Sequence, residues 1–288
     1  MRRPTSILAI LDRSRMDHDV LAKAARTAER SQSRLELFLC DAEHAYALKH
    51  EYEPSRNPEV RQECLAKAVA YLSDRRGSLG LPAERVSVSA ACESPLYEGI
   101  VRRVAHVRPD LVIKGAGNSD GPRPRFDPND WQLMRRCEAT LMMTRGRVWR
   151  GQPRFAAAVD ISRDETQGLA ASVVETAEML RSLHGGDLDV LHAAPDIDAV
   201  AKRARELTLE RVTRETQGIW RLLDGEAEQI LPRYTAERDY DVLVIGALTH
   251  RPGMVDLVGS LTSRLMEAVD CDFVLVKPEP AGEGANTV

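Results

Sequence analysis

Aromatic side chains are scarce in this 288-residue chain, at 5%. A surface that stacks sugars or single-stranded bases draws on many more of them, so that class of binder is excluded. No apolar run approaches the roughly 18 residues of a membrane-crossing helix. The apolar stretch 7–11 behind the basic N-terminus stops at Asp12, too short for a secretory signal. There are five cysteines, Cys40, Cys64, Cys92, Cys137 and Cys271, odd in number and scattered, with no C-x-x-C. That pattern excludes a spaced structural zinc motif and fits a reduced, cytoplasmic compartment. No lysine follows a glycine loop in the Walker A spacing, so P-loop chemistry is not indicated.

What is present is globular in kind. Hydrophobic residues make up 43% and charged residues 29% of the chain, and this length predicts two domains. The net charge of −4 hides an asymmetry. Residues 1–148 hold 25 Lys and Arg against 20 Asp and Glu, and residues 149–288 hold 15 against 24. A basic nucleic-acid binder is therefore not expected. The split reads as two drifted solvated surfaces, or as halves that attract each other across a salt-sensitive contact.

The chain repeats itself. SILAILDRSRMDHDVL at 6–21 matches RFAAAVDISRDETQGL at 154–169, placing Asp12 on Asp160 and Ser14 on Ser162 at an offset of 148. RLELFLCDA at 34–42 matches DLDVLHAAP at 187–195, and PDLVIKGAG at 109–117 matches YDVLVIGAL at 240–248. RCEATLMMTR at 136–145 resembles VDCDFVLVKP near the end. Within each half short apolar runs alternate with segments of helical period, which predicts parallel α/β architecture. The expected strands are 7–11, 35–39, 86–91, 111–113 and 140–144, then 154–159, 187–192, 219–223, 242–245 and 272–276. The expected fold is thus two tandem flavodoxin-like domains, 1–147 and 152–288, each a five-stranded mostly parallel sheet flanked by helices. Exposed apolar edges are a liability, so the fifth strands, 141–144 and 273–276, are expected to face each other in an intramolecular pseudo-dimer. A homodimer is a further expectation.

One insertion breaks the repeat. Residues 41–57, DAEHAYALKHEYEPSRN, have no counterpart in the second half. They read as a packing or solvent loop. Asp41, His44 and His50 are metal-capable, but their spacing is not a motif, and no metal is expected. The string Gly117-Asn-Ser119-Asp-Gly121 matches a nucleophile elbow, but Pro122 and Pro124 follow where a helix would have to start. No catalytic constellation emerges, and the chain is not expected to be an enzyme.

In open α/β sheets ligands bind beyond the carboxyl ends of the strands. Asp160 follows the first strand of the second half. Gly246 follows its fourth strand, and Gly259-Ser260 opens the last helix, with Thr262 one residue further in. Free N–H groups at a helix start attract an anion, and glycine lets a phosphate approach. An Asp after strand one, a glycine after strand four and a late Gly-Ser resemble the universal stress protein family. The duplication, covering about 5–277, resembles its tandem two-domain type. The resemblance implies a stress-survival role and a small-molecule ligand such as ATP or another nucleotide, with Asp160 near adenine and ribose and Gly246, Gly259, Ser260 and Thr262 near the phosphates. It implies neither nucleic-acid nor membrane partners. Thr249 stands where the family pattern has its second glycine, and Pro128 stands in the first half where Ser260 stands in the second. The first half is therefore expected not to take ATP, although Lys114, Arg123, Arg125, Arg135 and Arg136 could form an anion patch. Two rivals stay open: an interaction protein with decayed sites, and an adenylating or hydrolytic enzyme on the same fold.

Overall fold

The computed structural model describes residues 3–50, 57–117, 125–162, 164–195, 199–246 and 260–277, without the side chains of 57, 164–167 and 260–263. The first half runs β1 (Ser6–Leu11), α1 (Asp17–Ser31), β2 (Arg34–Cys40), α2 (Ala42–His50), α3 (Asn57–Gly77), β3 (Val86–Ala91), α4 (Leu96–Val107), β4 (Leu111–Gly115), α5 (Pro128–Arg136) and β5 (Thr140–Thr144). The second runs β6 (Phe155–Ala158), α6 (Asp164–His184), β7 (Leu188–Ala194), α7 (Ala199–Val212), β8 (Ile219–Asp224), α8 (Ala227–Arg238), β9 (Val242–Gly246), α9 (Ser260–Ala268) and β10 (Asp272–Val276). The inner strands are short, apolar and buried on both faces, as parallel strands under helices must be, whereas the edge strands β3 and β8 are only partly buried.

All ten strands share one sheet, in the order β3-β2-β1-β4-β5-β10-β9-β6-β7-β8. The pairing is parallel within each half and antiparallel at its centre, where Leu141, Met142 and Met143 of β5 face Leu275, Val274 and Phe273 of β10. The two expected sheets are thus halves of one. The fifth strands do meet, and each covers the other's apolar edge.

Two expectations need correction. The 41–57 insertion is not structureless, because residues 42–50 form α2. Its Ala45 and Leu48, three apart on one face, pack against Cys64 of α3 and Cys92. The second concerns how the halves dock. The oppositely charged surfaces do meet at Arg147, which pairs with Asp239 and Asp241. The main charge contact, however, is buried. Asp272, fully enclosed at the start of β10, accepts from Lys23 Nζ of α1 at 2.6 Å, from Trp149 Nε1 at 2.6 Å and from the Arg145 amide at 2.8 Å. Mobile ions screen exposed pairs, not one shut inside a sheet contact.

The linker is held by the same chemistry. Asp241 accepts from the Arg154 amide at 2.8 Å at the start of β6. Its repeat partner Asp110 accepts from the Thr5 and Ser6 amides at 2.7 and 3.0 Å at the start of β1. On one face α1 packs against α6. There the His184 ring meets Trp149 edge-on at 5.1 Å, and its Nε2 lies 3.4 Å from Thr27 Oγ1. Burial, with Arg26 and Arg30 nearby, pushes the His184 imidazole down to about 3.

Asp272→Ala is expected to lower stability by about 1–3 kcal/mol in denaturant unfolding, because the Trp149 indole and the Arg145 amide lose their buried acceptor and Lys23 keeps only Asp19 as its partner. Molar salt is expected to leave the small-angle scattering profile of the native chain unchanged, and an expanded profile would refute the buried-contact account. The depressed His184 also sets a pH window. The unfolded imidazole titrates near 6.5. Stability that is complete above that pH therefore falls, by up to about 1.4 kcal/mol per unit, as the pH drops toward 3. His184→Phe is expected to flatten that limb in chemical unfolding measured across the range, and an unaltered slope would refute the assignment.

Candidate functional site

The carboxyl ends of the second-half strands enclose a cavity of about 420 Å³. Asp160, His192, Arg205, Glu226 and Gly246 line it among apolar side chains. Its position is where an open α/β sheet holds a ligand. Asp160 folds a turn, its Oδ1 accepting from the Ser162 amide at 2.9 Å and hydroxyl at 2.6 Å. Asp12 makes the same turn with the Ser14 amide at 3.1 Å, so the repeated Asp-x-Ser has a local structural role in both halves. Gly246 is fixed by packing. A Cβ there would sit 2.7 Å from Cδ2 of Leu169 on α6. Its counterpart Gly115 has the same constraint, with Cβ of Met16 at 2.6 Å.

Residue-by-residue reading missed His192. It stands in β7 where the first half has Leu39, and a histidine inside a buried strand was the available signal. Its ring is 2% exposed. Nδ1 lies 3.0 Å from the Val159 carbonyl, which assigns the proton there. Nε2 is then an acceptor, and among the described residues it is buried with no hydrogen-bond partner. Burial pushes the imidazole below its ordinary range, so the ring stays neutral at pH 7. An orphan acceptor at a cavity wall awaits a donor.

Of the remaining expected ligand residues, Gly259 lies outside the described residues, as does Thr249. Ser260 is the first residue of α9 and Thr262 lies in its first turn. The structure thus brings Asp160 and Gly246 to one cavity, which Leu265 of α9 also lines.

The corresponding region of the first half is filled by the chain itself. Pro128 is the first residue of α5, as expected, behind an Asp127 cap that accepts from the Asp130 amide at 2.8 Å. Asp130 turns back to accept from the Asp127 amide at 3.1 Å and the Gly117 amide at 2.7 Å. Two carboxylates thus take the place an anion would take at this helix start. Lys114 of β4, fully buried, donates to Asp130 at 2.7 Å and to the Gly115 carbonyl at 2.9 Å. Burial alone would lower its pKa, but Asp130 holds the ammonium above its ordinary value. Lys114 is therefore not part of an anion patch, because its charge is already matched. Arg123 lies outside the described residues, as do residues 118–121 of the elbow-like string.

This doubled sheet, with a cavity in one half and a filled site in the other, can be set beside known proteins. No protein-family model matches the chain. The fold is that of the tandem universal stress proteins. A universal stress protein of Archaeoglobus fulgidus DSM 4304 superposes with a TM-score of 0.71 at 12% identity, over 95% of this chain and 98% of that one. The proposed universal stress protein of Pseudomonas aeruginosa UCBPP-PA14 superposes with a TM-score of 0.74 at 23% identity, over 96% and 94%. In sequence the chain is similar to universal stress protein E. It is 22% identical to that of Photorhabdus laumondii over 95% of both chains, and 20% identical to that of Escherichia coli K12 over 95% and 94%. Among the described residues no helix is long and apolar enough to cross a membrane.

The two packing glycines are expected to respond unequally. Gly115→Ala presses on a Cβ that cannot rotate away and should cost about 1–3 kcal/mol in thermal unfolding. Gly246→Ala presses on the end of a leucine, and Leu169→Ala should relieve it. Equal, unrelieved losses would show that the glycines serve something other than these contacts.

Proposed function

We propose that the chain is a stress-response protein whose second half binds an adenine nucleotide, acting as a binding protein of the cytoplasm rather than as an enzyme. The observation that carries the reading is the cavity at the ends of β6, β7 and β9, with the orphan Nε2 of His192 in its wall. A cavity of about 420 Å³ lies within the range of small-ligand sites. The exocyclic amine of adenine is a donor that Nε2 can accept, whereas guanine presents an acceptor at the same ring position. Asp160 lies at the same cavity, suited to ribose hydroxyls. The start of α9 offers free amides to phosphates. The first half, filled by Asp127 and Asp130, takes no part in nucleotide binding.

Isothermal titration of the whole chain with ATP and GTP tests this. ATP is expected to bind more tightly. His192→Leu, which copies the first half, is expected to weaken ATP by about tenfold, one neutral hydrogen bond of about 1.4 kcal/mol, and to remove the preference. Thr249→Gly is expected to strengthen binding, and Gly259→Arg to abolish it by blocking backbone approach. Equal heats from ATP and GTP would overturn the adenine assignment. No heat from either wild type or Thr249→Gly would favour the second reading, an interaction protein with decayed sites. The self-filled site of the first half is the observation on that side.

A further inference from the structure

The insertion that distinguishes the first half ends in a cluster the nucleotide reading does not use. Asp41 follows β2, and its amide donates to the Ala91 carbonyl at the end of β3 at 2.8 Å. His44 stands in the first turn of α2. Cys64 reaches in from α3, and Cys92 follows β3. The Asp41 carboxylate, the His44 imidazole and the Cys64 thiol place one ligand atom each within 4.8 Å of one another. His44 Nδ1 lies 2.9 Å from Asp41 Oδ1. Cys64 and Cys92 pack together in one small buried cluster with Ala45 and Leu48.

We propose that Asp41, His44 and Cys64 form a binding site for a divalent cation of the zinc class, with Cys92, packed in the same cluster, as a candidate fourth donor. Without a metal the same atoms cap α2 and pack a small core, since Asp41 also accepts from the His44 amide at 3.1 Å. A cap alone, however, has no use for a thiol. One carboxylate, one imidazole and one thiol from different elements, with Cys92 packed in the same cluster, form a mixed sulfur, nitrogen and oxygen donor set. That set suits zinc and disfavours magnesium or calcium, which take oxygen ligands. It also differs from the set the sequence offered. His50 stacks on Tyr46 at 4.4 Å instead of joining the cluster, and Cys64 replaces it.

The geometry is close to what binding needs. Ligand bonds of about 2.0–2.1 Å to nitrogen and oxygen and 2.3 Å to sulfur put tetrahedral neighbours about 3.3–3.6 Å apart. The Asp41–His44 pair must open by a few tenths of an ångström, and the half-exposed His44 is free to do so. Arg13 holds Asp41 Oδ2 at 2.9 Å and leaves Oδ1 to the metal, the orienting role that outer hydrogen bonds play at metal sites. His44 lines a surface cavity of about 600 Å³, which gives access from solvent. On binding, the Cys64 S–H bond breaks, the thiolate pairs with the cation, and the proton leaves to solvent. Metal uptake should therefore release protons in step.

The test is titration of the reduced full chain with Co²⁺ in the absence of nucleotide, followed by displacement with Zn²⁺. One equivalent is expected to give a thiolate-to-cobalt charge-transfer band that zinc abolishes, and zinc is expected to raise the melting temperature. His44→Ala is expected to weaken binding at least about tenfold. Because His44 is exposed, its metal-free melting temperature should stay at the wild-type value, so the loss cannot be unfolding. Cys64→Ser is expected to remove or halve the band. Absence of the band, or a band unchanged in both variants, overturns the proposal. Because nucleotide is absent and the nucleotide cavity is in the other half, failure here leaves the adenine reading untouched.

Discussion

The antiparallel contact between β5 and β10 is the constraint on which the molecule turns. A five-stranded half ending in Thr140–Thr144 or Asp272–Val276 would expose a row of unpaired amides beside side chains that belong in a core. Duplication lets each half cover the other. Pairing then forces α1 against α6 and brings the linker over the seam. The polar groups caught there must be satisfied inside the protein, because water cannot reach them. Asp272 meets that demand for Lys23, Trp149 and Arg145 together. Its position corresponds to Thr140 in the first half, so the charge is an addition made where the pseudo-symmetry is broken.

The same logic separates the two ligand regions. In each half the glycine after the fourth strand lets the first helix pack closely. In each the following helix begins with amides that need an acceptor. The first half supplies its own acceptors, Asp127 and Asp130, and balances them with Lys114. A buried lysine paired in this way is costly to disturb, since removing either partner leaves a bare charge. The second half has an isoleucine, Ile245, at the position of Lys114 and a histidine at the position of Leu39. One half therefore has its electrostatics closed, and the other has an open cavity with an unmet acceptor.

Much of this was legible in the sequence, and the boundary of legibility has physical causes. The strands announced themselves because a parallel strand buried on both faces is an unbroken apolar run. The tandem arrangement showed in the repeated Asp-x-Ser after strand one. The meeting of the fifth strands followed from their apolar edges. The α2 helix was missed because only Ala45 and Leu48 carry its period, and what they pack against lies on α3. Lys114 read as a surface charge because sequence pattern cannot show that Asp130, sixteen residues away, is folded back on it. Cys64 lies buried on α3. Its approach to Asp41 depends on how α3 crosses the sheet edge, and no spacing rule encodes that.

An insertion in one copy of a duplicated fold is free to acquire chemistry, because the other copy keeps the ancestral geometry. Here residues 41–57 add α2 beside the carboxyl ends of β2 and β3, the end of the sheet where loops can change without disturbing the strands. Asp41 occupies the position of Ala194 in the second half, and no counterpart of His44 exists there. The insertion therefore set an imidazole above a carboxylate and two thiols that α3 and β3 already bordered. The half whose helix start is closed by Asp127 and Asp130 is also the half that places Asp41, His44 and Cys64 together beside the ends of β2 and β3.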